Sequence, residues 1–164
     1  MEMLEVQLEG LALDMTTNTP VVILSPSGLD KVLPIWIGHA EAWAIAMELS
    51  GVGSNRPLTH DLMKRIVDGL DSEVLRIEVT ELREQTFFAV VYLSKNGGEQ
   101  AIDARPSDSI ALALKTKAPI FVNSELFDAT AEGTPEMPSM PTDRESLRER
   151  LKNINPEDFG KYEL

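Results

Sequence analysis

The side chains of this chain that could do chemistry fall in four short polar stretches. They are Leu33-Pro34-Ile35-Trp36-Ile37-Gly38-His39-Ala40-Glu41-Ala42, Asn55-Arg56-Pro57-Leu58-Thr59-His60-Asp61-Leu62, Thr86-Phe87-Phe88-Ala89, and the run from Ile102 to Asp108. His60 can act as a general base near neutral pH. Glu41, Asp61, Asp103 and Asp108 carry the oxygen ligands that Mg²⁺ or Mn²⁺ prefer. Arg56 and Arg105 can grip two oxygens of one anion at once. Each group also has a purely structural reading. Asp61 is favoured at a helix start whatever the function, and His60 beside it can be a helix-start residue. Arg56 before Pro57 can pin a loop to a carboxylate. Trp36 and Trp43 suit core or interface anchors, and His39 sits at a glycine turn with no partner evident in sequence.

Ile102-Asp103-Ala104-Arg105-Pro106-Ser107-Asp108-Ser109-Ile110-Ala111-Leu112-Ala113-Leu114 is the densest of these regions. It starts as a strand end and finishes as a helix. Pro106 suits the first helical turn, where its missing N–H is not needed. Asp108 lies in that turn, where the helix dipole favours an anion. Ile110, Ala113 and Leu114 give the helix an apolar face. Two readings stay open: a well-capped helix with Arg105 paired to a neighbouring carboxylate, and a polar site at a strand-to-helix corner. There is no Gly-rich phosphate loop, zinc-finger spacing or nucleophile elbow.

The elements that must position these groups read as follows. Leu4, Val6 and Leu8 alternate with Glu5, Gln7 and Glu9 as a half-buried strand, with Gly10 open to a bend or bulge. Val21–Leu24 predicts a buried strand, and Val32–Ile37 a third, with Pro34 placing it late or at a sheet edge. A helix over Glu41–Leu49 closes at Gly51. Thr59 is a candidate N-cap for a helix from His60 to Leu70, with Leu62, Ile66 and Leu70 at i, i+4, i+8. Strands follow over 74–82, 87–93 and 100–102, with an Asn96-Gly97-Gly98 turn between the last two. The helix from Pro106 to Lys115 comes next, then a strand over 119–122 and a helical turn over 125–129.

These boundaries divide the chain into a body, residues 1–130, a Pro-rich linker, residues 131–142, and a short C-terminal helical tail, residues 143–164. Gly133, Pro135, Pro138 and Pro141 mark the linker. Leu147, Leu151 and Ile154 are the apolar stripe of the tail helix expected over 143–154. With 164 residues, 43% of them hydrophobic, the chain can build a sizeable core. It has no cysteine, which excludes disulfides and thiolate metal sites and fits a reducing cytoplasm. The acidic start lacks the basic and apolar regions of a signal peptide. No run approaches the roughly 20 apolar residues of a membrane span. The net charge is −12, of which five basic and eight acidic residues put −3 after residue 130 and leave −9 on the body. Such a body has no evident footprint for a phosphate backbone, so any nucleic-acid function needs a local patch, an oligomeric surface or bound cations.

An internal repeat is visible at an offset of 67, which places Asp108 on Glu41, Ile102 on Ile35, Ala111 on Ala44 and Leu112 on Ile45. The repeat predicts an α+β fold with a mainly antiparallel sheet. The sheet is built from two strand–strand–strand–helix units, residues 19–50 and 86–117, with helices packed on it. Because an acid recurs in the first helical turn of each unit, helix capping alone could explain both copies.

Taken together, Pro34-Ile35-Trp36-Ile37-Gly38 with Glu41-Ala42, Arg56-Pro57 with Thr59-His60-Asp61, and Ile102-Asp103-Ala104-Arg105-Pro106-Ser107-Asp108 resemble the bifunctional nuclease domain family over roughly residues 4–130. The resemblance implies nuclease activity on both DNA and RNA. The residues themselves allow phosphodiester hydrolysis, which needs an activated water and cations on the phosphate. On this reading His60, Asp61, Asp103 and Asp108 are catalytic and Arg56 and Arg105 bind substrate. Asp61, Asp103 and Glu41 hold Mg²⁺ or Mn²⁺, which would also answer the objection from net charge. Little sequence preference is expected, since no helix or ribbon offers a set of base-reading side chains. The competing reading is a non-catalytic oligomeric binding or regulatory module whose polar corners stabilise the fold. The acidic body and the 5% aromatic content favour it. A homodimer is expected on either reading, as the commonest closed assembly.

Overall fold

The computed structural model describes residues 1–132, 145–146 and 151–153. Strand β1 (Met3–Asp14) alternates as its sequence requires and slips register between Leu8 and Gly10, the bulge that glycine permits. In β2 (Thr19–Pro26) the β-branched run is buried on both faces, with Val21, Val22 and Leu24 fully covered. The short β3 (Leu33–Trp36) carries Pro34 and lies at one edge of the sheet. Helix α1 (His39–Ser50) ends at Gly51, whose φ of 70° returns its N–H to the Glu48 carbonyl. Helix α2 spans Thr59–Gly69.

Strands β4 (Val74–Arg83), β5 (Thr86–Lys95) and β6 (Gly98–Ala104) form a meander. Asn96 and Gly97, both at positive φ, make the two-residue turn from β5 to β6 that the Asn-Gly pair favours. The β4–β5 turn has the same length but uses Glu84 (φ 48°) and Gln85 (φ 61°). Helix α3 (Pro106–Thr116), β7 (Ile120–Asn123), α4 (Leu126–Glu132) and β8 (Leu151–Asn153) follow.

The sheet runs β3-β2-β1-β7-β4-β5-β6, with β8 also on β1, and every pairing is antiparallel except β4 with β7. The expected α+β, mainly antiparallel architecture is therefore what the chain adopts. The strand–strand–strand–helix units expected over 19–50 and 86–117 are not found: each range holds two strands before its helix, β2 and β3 before α1 and β5 and β6 before α3. The linkages differ: six residues, 27–32, join β2 to β3, whereas two join β5 to β6.

Helix α1 packs on β1 and β2, α3 on β4 and β5, and the two helices pack on each other, with α2 against α3. Small residues make the close approach possible: Ala42, Ile45 and Ala46 of α1 share one core with Ile110, Ala111, Leu112 and Ala113 of α3. Ile77, Val79, Val22, Leu24 and Phe127 complete it. Glu41 and Glu48 of α1 reach Arg105 and Lys115, one at each end of α3, so the two helices run parallel. Their N-termini lie together.

Three expectations are corrected. Leu58, not Thr59, is the N-cap of α2, because the Asp61 carboxylate folds back to accept its N–H at 2.9 Å. Leu62, Ile66 and Leu70 face solvent, 52%, 52% and 75% exposed, since α2 turns His60, Met63 and Val67 inward. Leu151 belongs to a strand, not to a tail helix. Beyond Val6, β1 is no longer covered by β7, and Leu151–Asn153 pair with its Ala12–Asp14 there. Leu151 packs with Val21, Ile23, Val32 and Trp36 on the second face of β2. The linker expected over 131–142 and most of the helix expected over 143–154 lie outside the described residues, though Glu145 and Ser146 are helical.

Candidate functional site

Parallel packing of α1 and α3 brings the first helical turns of both to one corner, where α2 also begins. Arg105, the N-cap of α3, leaves β6 in extended conformation, and Pro106 fixes the helix start. From that position Arg105 Nε donates to Asp108 Oδ2 at 2.8 Å and one terminal nitrogen reaches Asp108 Oδ2 at 2.7 Å and Glu41 Oε1 at 2.5 Å. Both carboxylates raise the Arg105 pKa, Asp108 by its hydrogen bond most of all. Glu41 can lie there because residue 38 is glycine: a Cβ on Gly38 would collide with the Glu41 carboxylate.

The other Asp108 oxygen, Oδ1, is 3.0 Å from His60 Nε2. A carboxylate only accepts, so this contact places the imidazole proton on Nε2 and leaves Nδ1 the basic nitrogen. His60 is 6% exposed. It forms part of the wall between two cavities. One, of about 460 Å³, is bounded by Glu41, Trp43, Thr59, Arg105 and Asp108. The other, of about 360 Å³, is bounded by Glu48, the loop at 51–58, Asp61, Arg65 and Lys115.

A second ion-pair chain ties the far end of α3 to its neighbours. Lys115 Nζ donates to Asp61 Oδ1 at 2.6 Å and to Glu48 Oε2 at 2.7 Å. Burial pulls the Lys115 pKa down, but the bonds to Asp61 and Glu48 outweigh it, and the net shift is upward. For Asp61 burial pushes upward, but Lys115 and the Leu58 N–H prevail and hold the carboxyl below its ordinary range. Glu48 and Lys115 are related by the same offset of 67 as Glu41 and Asp108.

The structure therefore brings together His60, Asp108, Arg105 and Glu41, and places Asp61 one residue away in the neighbouring cluster. Arg56 lines the second cavity. Asp103 is not brought to the corner: it is exposed on the edge strand β6, opposite Val90. The proposed ligand set Asp61, Asp103 and Glu41 does not assemble. Asp61 is held by Lys115, Glu41 by Arg105, and among the described residues no three His, Asp or Glu side chains converge as ligands. The donors present thus do not fit a resident Mg²⁺ or Mn²⁺ cage. Sequence reasoning missed Lys115, Glu48 and Arg65. The offset of 67 applied to Glu48 was the one signal that could have found Lys115.

Fold and corner define an α+β domain with a buried histidine–carboxylate pair and a salt-bridged arginine at a three-helix junction. The family model for the bifunctional nuclease domain matches residues 21–134, and the chain belongs to that family. An uncharacterized protein of Mycobacterium tuberculosis is 34% identical over 164 residues, covering 94% of this chain and 97% of its own. Bifunctional nuclease 2 of Arabidopsis thaliana is 31% identical over 66% of this chain and 34% of its own length. Bifunctional nuclease 1 of the same plant is 30% identical over 69% and 36%. This chain thus spans about a third of those plant proteins. Among the described residues no helix is long and apolar enough to cross a membrane.

Proposed function

We propose that the protein hydrolyses phosphodiester bonds of DNA and RNA with little sequence preference, at the corner formed by His60, Asp108 and Arg105. The observation that carries the reading is the buried His60 oriented by Asp108 at 3.0 Å on the wall of a cavity that Arg105 also lines. Asp108 holds the imidazole tautomer, and Nδ1 takes the proton of a water that attacks phosphorus. The P–O bond to the leaving sugar oxygen breaks, that oxygen takes up a proton from solvent water to leave as the alcohol, and the imidazolium returns its proton to solvent. Arg105 spends Nε and one terminal nitrogen on Asp108 and Glu41, and its other terminal nitrogen offers two N–H groups to the phosphate. The plant relatives named bifunctional nucleases support the same reaction class.

The test is cleavage of single- and double-stranded DNA and of RNA by purified protein. His60→Ala and Asp108→Asn, each checked for folding, are run beside it. Loss of the base is expected to slow cleavage at least about 10²-fold. Activity that survives both substitutions would end the proposal. Divalent-cation dependence, expected from the sequence, is read in the same assay with Mg²⁺, Mn²⁺ or EDTA. No step of the mechanism above passes through a metal.

A second reading has its own observation. Glu41, Asp108, Asp61 and Glu48 are each bonded to a cation of the protein, and together they bind α1, α2 and α3 to one another. In a non-catalytic binding or regulatory module that lattice would be the purpose of the corner. His60→Ala would then change stability with no cleavage to lose.

A further inference from the structure

Among the described residues most cations already have a carboxylate. Lys31, Lys64, Arg76, Arg83, Arg105 and Lys115 all sit within ion-pair distance of one. Arg56 and Arg65 have none there, and both are exposed. Both line the same cavity of about 360 Å³, on the far side of His60 from Arg105. They reach it from different elements, Arg56 from the loop before α2 and Arg65 from the body of that helix, so the fold and not sequence proximity brings them together. In a body with a net charge of −9, Arg56 and Arg65, the latter acting on Asp61 only beyond ion-pair distance, form a local basic patch on one cavity. Lys115 at its floor is already held by Asp61 and Glu48.

We infer that Arg56 and Arg65 hold a second, non-scissile phosphate of the strand being cut. This rests on the nuclease reading and deepens it. With His60 in the wall between the two cavities, the cleaved phosphate lies on the Arg105 side and a neighbouring phosphate on the Arg56–Arg65 side. The substrate is then an oligonucleotide that passes over His60, and a mononucleotide or small diester fills only one side. Affinity for single strands should depend on salt, losing about 0.7 in the log–log slope per phosphate contact removed.

The test is fluorescence anisotropy of a labelled single-stranded DNA 12-mer on the full chain, titrated at several salt concentrations. The proteins are the wild type, Arg56→Gln/Arg65→Gln and, as a control for the loss of a surface arginine elsewhere, Arg83→Gln. Arg56 and Arg65 are exposed, and circular dichroism checks the fold of each variant. The double variant is expected to bind at least tenfold more weakly with a shallower salt slope, Arg83→Gln as tightly as the wild type. A 5′-mononucleotide should compete poorly. The inference is overturned if the double variant binds like the wild type, if Arg83→Gln weakens binding equally, or if the mononucleotide competes as well as the 12-mer. Weakened binding in the double variant with no cleavage by the wild type would leave the phosphate site standing and remove the nuclease reading. Cleavage by the wild type with unchanged binding in the double variant would do the reverse.

Discussion

Lys115 shows how much of this corner hangs on single side chains. Removing it in Lys115→Met leaves Asp61 with the Leu58 N–H but no ion pair and takes the Lys115 partner from the partly buried Glu48. A loss of about 1–3 kcal/mol is expected at neutral pH. The sign with pH follows from the direction of each shift. Asp61 is held below its ordinary value, so its contribution is present above the unfolded-state value and disappears as pH falls through the folded one. Lys115 is shifted upward, so its contribution is present below its unfolded-state value and disappears as pH rises through the folded one. Thermal unfolding of both proteins should therefore show the largest gap at neutrality and a shrinking gap in acid. A gap independent of pH would mean that Lys115 acts through packing alone. Asp108, Arg105 and His60 were legible in the sequence because capping rules and residue chemistry act locally. The bonds from Arg105 to Glu41 and from His60 to Asp108 were not, since they join residues 64 and 48 positions apart.

The elements were largely legible, and the misses have identifiable causes. Period-two and helical patterning located β1, β2, α1 and α3, and Pro34 marked an edge strand. The stripe Leu62, Ile66, Leu70 misled because a helix resting on another helix can bury its mixed face and leave an apolar one outside. The β4–β5 turn was legible only as the gap between the strands expected over 74–82 and 87–93, because Glu84-Gln85 lacks turn chemistry although both residues adopt positive φ. Replacing them with Asn-Gly should relieve that conformation and stabilise the protein by about 1 kcal/mol, seen as a raised thermal midpoint. An unchanged or lowered midpoint would show that the native side chains compensate. Truncation after residue 132 removes β8 and uncovers Val21, Ile23 and Trp36. The remaining domain should still unfold cooperatively, with its stability reduced by about 1–3 kcal/mol. Loss of the cooperative transition would make β8 part of the core.

For the whole molecule, composition indicated a core-forming acidic domain, and the α+β class followed from the order of patterns. Sheet order was not legible: β7 enters between β1 and β4, a long-range placement that no local pattern encodes. The expected homodimer acquires a candidate surface in Leu62, Ile66 and Leu70, an exposed apolar stripe of the kind that marks association. A two-fold contact would place the stripe against its own copy. Light scattering at micromolar concentration should return twice the chain mass, and Ile66→Glu should return it to a monomer. A wild-type monomer under those conditions ends the idea.

Strand β6 ends the sheet on one side, no strand among the described residues pairs beyond it, and all its residues but Ala104 are exposed. Such a margin invites a second chain to add a strand, and Ile102 within it is apolar and uncovered. Asp103, beside Ile102 and away from the corner, then acquires another role: its charge keeps this margin from templating aggregation. Asp103→Val would create the uncharged run Ala101–Ala104. It should leave the domain folded and its cleavage rate intact while making concentrated solutions turn turbid on storage.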